Sequence, residues 1–142
     1  MRPIQIKAGE VTAKACCVVY DKDGTLVDFH SVWGPRIVRS ANALAAATGL
    51  GDDFVRHLYR AVGYDASTNH TSGQGPLATA PLDQLVIVAA TAIFQSGITW
   101  DKALELSSTC LLPLMAAQPE AKEISPRGNL LSPLRELQQH GC

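Results

Sequence analysis

A mixed α/β chain is predicted, with one buried strand near the start and helices after it. Three observations carry that expectation. The run Ala15-Cys16-Cys17-Val18-Val19-Tyr20 is apolar without a polar break, as in a strand covered on both faces. It stops at two aspartates, Asp21 and Asp23, followed by Gly24-Thr25. From about Ser31 to Thr48, apolar residues then recur at three- and four-residue steps, the helical period, and further helical segments follow.

Taken in order, residues 1–14 are weakly patterned, and Ile4 and Ile6 alternate with polar residues as in a short edge strand. The strand at 15–20 follows. Val32, Ile37, Val38, Ala41, Leu44 and Ala45 then mark a helix from about 31 to 48. Gly34-Pro35 interrupts its beginning, so regular helix is expected from Pro35, and Gly49 ends it. A second helix spans about 52–62, with Asp52 and Asp53 at its N-terminus and Gly63 after it. Residues 63–80 are rich in Gly, Ser, Thr and Asn and read as a long loop.

Thr79 reads as the N-cap of a third helix, with Pro81 and Asp83 in its first turn and its end near Gln95. Its apolar run, Leu85 to Phe94, is too short to span a bilayer and reads as a buried helix. Thr99 caps a fourth helix over about 100–117, and Pro119 stops it. A final amphipathic helix over about 130–140 sets Leu130, Leu131, Leu134 and Leu137 on one side, with Gly141 as terminator.

The acidic stretch suggests chemistry. Asp21, at the last strand position, would face the crevice where open α/β sheets bind ligands. A carboxylate held there can attack phosphorus and split one difficult displacement into two easier ones. Asp23 would protonate the leaving oxygen and later take a proton from water. Mg²⁺ would neutralise charge between Asp21 and the phosphoryl oxygens. Gly24 permits a sharp turn, and the hydroxyl and amide of Thr25 would meet a phosphate oxygen.

Asp21-Lys22-Asp23-Gly24-Thr25-Leu26-Val27 resembles motif I, DxDGT[LV], of the haloacid dehalogenase-like hydrolase superfamily. The resemblance implies a Rossmann-like core and a Mg²⁺-dependent phosphatase acting on a small phosphorylated metabolite, similar to phosphoglycolate phosphatases. It implies Asp21 as nucleophile and metal ligand, and Asp23 as general acid/base with its main-chain carbonyl on the metal. The second aspartate favours phosphoryl transfer over dehalogenation. Residues 1–29 would begin the core, 30–120 would form an inserted helical cap, and 121–142 would return to the core. The family's motifs II to IV, which supply a Ser/Thr, a Lys and further acids, do not occur in the chain. It is therefore expected to be an N-terminal part of a larger protein, inactive or nearly so alone. A phosphomutase of the same fold and a non-catalytic helical interaction module are the alternatives.

Other residues carry weaker expectations. Lys22, on a strand end, should point away from the aspartates. Asp28 reads as orienting the first helix. His30, Ser31 and Arg36 read as a solvated helix start, with substrate contact as the alternative. Arg39, Arg56 and Arg60 read as solvated helix faces, Asn69 and His70 as loop residues, and Trp33 and Trp100 as packing.

Composition sets bounds. A net charge of −1 argues against a nucleic-acid surface, which needs a basic excess. Cys16, Cys17, Cys110 and Cys142 have no metal-ligand spacing, and reduced thiols in the cytoplasm are the simplest reading. Met1 to Lys7 contains no apolar signal core, and no membrane span is expected. The oligomeric state is not legible.

Overall fold

The computed structural model describes residues 3–140; the expected roles of Gly141 and Cys142 lie outside them. The mixed α/β class holds, with two small antiparallel hairpins and mainly helix elsewhere. The chain divides into two units: one formed by Met1–Asp28 with Ile124–Cys142, the other by Phe29–Glu123.

In the first unit, β1 (Ile4–Ala8) pairs with β2 (Val11–Ala15) through a turn at Gly9-Glu10, and Ile4 lies opposite Ala15. The expected edge strand at Ile4 and Ile6 is therefore present, but its partner is the unforeseen β2. The buried strand at 15–20 does not form. Ladder pairing ends at Ala15, residues 17–20 lie outside any strand, and Val19 is 89% exposed. A buried parallel strand needs backbone partners and cover from distant segments. Among the described residues no strand supplies them.

The returning helix α7 (Leu131–Gln139) is present. Its apolar side is only partly covered. Leu130 and Leu137 are half-buried, whereas Leu131 is 64% exposed and Leu134 is also exposed. No described residue of this unit is fully buried.

The second unit carries the core. Helix α1 (Phe29–Thr48) starts at Phe29 and runs through Pro35, which lies in its second turn rather than at its start. The chain loses one N–H donor there, yet the helix continues, because Val32, Ile37, Ala41 and Leu44 bury one stripe. Helix α2 (Asp52–Val62) has the expected bounds, and Gly63 closes it at φ 77°. A Cβ on Gly63 would also lie 3.0 Å from Gly75 Cα. Gly63→Ala is therefore expected to destabilise this unit by about 2 kcal/mol, from the left-handed backbone and the displaced Gly75. Chemical denaturation followed by tryptophan fluorescence checks it.

The expected loop at 63–80 is ordered. β3 (Tyr64–Asp65) pairs with β4 (His70–Thr71), and a short helix α3 spans Pro76–Thr79. Within the hairpin, Asp65 Oδ1 accepts from the Ser67 amide and hydroxyl, and Oδ2 from the Thr68 hydroxyl. These bonds hold the Asp65 carboxyl below the usual carboxylate range. Such side-chain bonds to turn backbone replace ladder bonds, and composition alone does not reveal them.

Helix α4 (Leu82–Gln95) is capped by Pro81, while Thr79 ends α3 instead. It is not buried all round: Leu85, Ala89, Ala92 and Ile93 are buried, whereas Ile87 and Phe94, seven residues apart, are about half exposed. Trp100, set edge-on to Phe94, is 40% exposed rather than buried.

The expected single helix at 100–117 is three pieces. α5 (Trp100–Leu106) leads into a π-helical turn (Ser107–Leu111) and then α6 (Leu112–Ala116). The Leu112 N–H reaches back five residues to the Ser107 carbonyl. Pro113 follows, with no N–H for the regular ladder, so the widened turn sits where that rung is missing. Ile37, Leu44, Leu58, Leu85, Ile93, Leu111 and Met115 fill the centre of this unit. Among the described residues no helix is long and apolar enough to cross a membrane.

Candidate functional site

The acidic motif folds as a tight turn in the first unit. Amides of Leu26 and Val27 both donate to the Lys22 carbonyl at 3.0 Å, and the Gly24 amide donates to the Val27 carbonyl at 2.8 Å. Gly24 adopts φ 83°, a conformation that costs residues with a Cβ, so the DGT sequence is what allows the turn.

The segment preceding α7 clasps the turn. Val27 bridges Pro126, the Arg127 amide donates to the Leu26 carbonyl at 3.0 Å, and Arg127 Nη1 donates to the Gly24 carbonyl at 2.8 Å. The Asp28 amide donates to the Ser125 carbonyl at 2.7 Å. Arg127 is the residue that sequence reasoning missed. It lies in the run Pro126-Arg127-Gly128-Asn129, whose composition marks a turn, and nothing local ties it to a residue 103 positions earlier.

Asp21 is exposed and accepts from the Thr25 hydroxyl at 3.1 Å through Oδ2. Thr25 thus faces the first aspartate of the motif. Asp23 is half-buried, and Lys22 Nζ lies 2.6 Å from its Oδ1. The expectation that Lys22 points away from the aspartates is corrected. It rested on strand alternation, and a turn has none. Asp21, Asp23, Gly24 and Thr25 are therefore gathered in one turn with Lys22 and Arg127.

The donor chemistry suits a hard cation. The turn offers carboxylate oxygens on Asp21 and Asp23 and main-chain carbonyls, which are the ligands Mg²⁺ takes alongside water. Among the described residues no three His, Cys, Asp or Glu side chains converge as a ready metal cluster. Cys16 and Cys17 are exposed, and Cys110 is half-buried.

The remaining candidates, Asp28 apart, lie in the second unit and do not gather into one site. Arg36, expected at a solvated helix start, is 3% exposed. It donates to the Met115 carbonyl at 2.9 Å and lies 5.4 Å from the Trp33 ring centre. Arg39 pairs with Glu123 at 2.9 Å, and Arg56 with Asp53. Trp33 stacks on Phe29, with 6.0 Å between ring centres. His30 and His70, far apart in sequence, have ring centres 4.7 Å apart.

No protein family model matches the chain, and no curated protein and no solved structure is significantly similar to it.

Proposed function

We propose that the acidic turn is the nucleophile loop of a Mg²⁺-dependent phosphatase acting on small organic phosphomonoesters, phosphoglycolate phosphatase-like in character. The observation that carries this reading is the placement of Asp21, Asp23, Gly24 and Thr25 in one clasped turn with Asp21 exposed. The Rossmann-like core and the cap role of Phe29–Glu123 belong to the same proposal.

Asp21 attacks phosphorus, and the bond to the substrate's ester oxygen breaks. Asp23, protonated, delivers its proton to that oxygen and releases the alcohol. The phosphoryl group then sits on Asp21. Asp23, now ionised, takes a proton from water as the water attacks phosphorus, which frees phosphate and restores Asp21. Thr25 holds the orientation of the Asp21 carboxylate through its hydroxyl. Lys22 must leave Asp23 for the acid step, and its flexible stem allows this. Mg²⁺, held by the Asp21 carboxylate and the Asp23 carbonyl, would supply charge neutralisation at the phosphoryl oxygens.

The test uses the protein isolated from its source, assayed for Mg²⁺-dependent hydrolysis of p-nitrophenyl phosphate. Asp21→Asn is expected to lower kcat by about 10³-fold or more, because the nucleophile is lost. Turnover unchanged by this substitution would overturn the assignment.

A further inference from the structure

Two histidines lie where the 64–71 hairpin meets α1. His30 Nδ1 accepts from the Thr71 backbone N–H at 3.2 Å. An imidazole can accept there only with Nδ1 unprotonated, so the neutral ring carries its proton on Nε2. The His70 ring leans on His30 at a 32° tilt, with 4.7 Å between centres. His30 is half-buried, Thr71 is buried and His70 is exposed. A second anchor does not titrate near neutrality: the Tyr64 hydroxyl donates to Asn69 Oδ1, and the Asn69 amide group packs on Gly34 of α1.

We infer that His30 and His70 form a proton-operated latch, in which neutral His30 holds the Thr71 end of β4 on α1 and protonated His30 releases that contact, while Asn69 stays packed on Gly34. Protonation removes the acceptor of the Thr71 N–H. It also sets a positive charge against the neighbouring imidazole, which disfavours charging the second ring.

Charged and polar groups lie near the pair. Asp65 pairs in register with His70, and its carboxylate, hydrogen-bonded by Ser67 and Thr68, keeps its negative charge. Arg60 lines the same concavity as Asp65 and His70 and adds positive charge there. Burial pushes the Tyr64 phenol up, so it stays neutral. Phe29 meets His30 edge-on and carries no charge. Along α1 the next cation, Arg36, is turned to Met115. Asp28 lies two residues before His30 in the chain. The latch is independent of any chemistry at Asp21.

The experiment follows the Thr71 amide resonance and the histidine ring resonances of the isotope-labelled full chain from about pH 8 to about pH 5, the range in which histidine titrates. The Thr71 resonance is expected to move with the His30 midpoint. His30→Asn, whose amide oxygen stands near the Nδ1 position and does not titrate, should flatten that transition and keep the hairpin-to-α1 contacts in acid. His70→Gln, which removes the second ring charge, should raise the His30 midpoint. A flat Thr71 resonance in the wild type, or a transition retained in His30→Asn, overturns the latch. If His30→Asn does not fold, an unraised His30 midpoint in His70→Gln overturns it.

Discussion

Leu58→Ala is expected to destabilise the helical unit by about 3–4 kcal/mol, the transfer loss plus an unfilled cavity. Leu58 is fully buried on α2 within the cluster that joins α1, α2 and α4. Alanine is the better helix former, so the loss would come from packing and not from the backbone. Small members of the same cluster, such as Ala89 and Ala90, have little reach to collapse into a space left there. Urea unfolding followed by tryptophan fluorescence measures it, since Trp33 and Trp100 both lie in this unit. Leu131→Ala, at a site 64% exposed, serves as the control and should change stability by less than about 0.5 kcal/mol. Equal small losses for the two would mean that the α1–α2–α4 cluster is not the core of this unit.

Arg36→Ala should cost about 2–4 kcal/mol, from a buried carbonyl left without its donor and lost packing of the stem. The guanidinium donates to the Met115 carbonyl near the end of α6 and lies over Trp33. It also approaches Glu123 at 3.9 Å. The loss stays below that of a fully broken buried ion pair, because Arg39 still holds Glu123 at 2.9 Å. Arg36→Met keeps most of the volume without the donor and should lose about half as much, roughly 1–2 kcal/mol. Wild-type stability in Arg36→Ala would show that the bond to Met115 contributes nothing net.

Acid sensitivity belongs to the same cluster. The Arg39 hydrogen bond, then the Glu120 amide, then the charges of Arg39 and Arg36 hold the Glu123 carboxyl below the usual glutamate range. A depressed carboxyl stabilises the fold above its ordinary titration range. That contribution is lost as pH falls through the lowered folded value.

The sharp turn at Gly24 and some helix limits were legible in the sequence because their causes are local. DGT in the motif meets the demand for a positive φ at Gly24, Gly63 ends α2, and Pro81 stands at the start of α4. The partners of the turn were not legible. Arg127 reaches Gly24 from the far end of the chain, and Lys22 turned toward Asp23 once strand geometry was absent. Arg36 illustrates the same limit. Its charge suggested solvent, yet its only described hydrogen-bond acceptor is a carbonyl 79 residues away.

Sequence alone determined α1, α2 and α4 and the helical character of 100–116, through apolar spacing and the Gly and Pro residues at helix ends. It also placed Asp21, Asp23, Gly24 and Thr25 within a few residues of one another. Tertiary structure alone decided that 16–20 is not a strand, that Pro113 comes with a π turn, and that His30 meets Thr71. The reason is physical. Helix periods and caps are satisfied within about one turn of chain, whereas strand pairing, burial of a charge and side-chain contacts across tens of residues depend on which distant segments arrive.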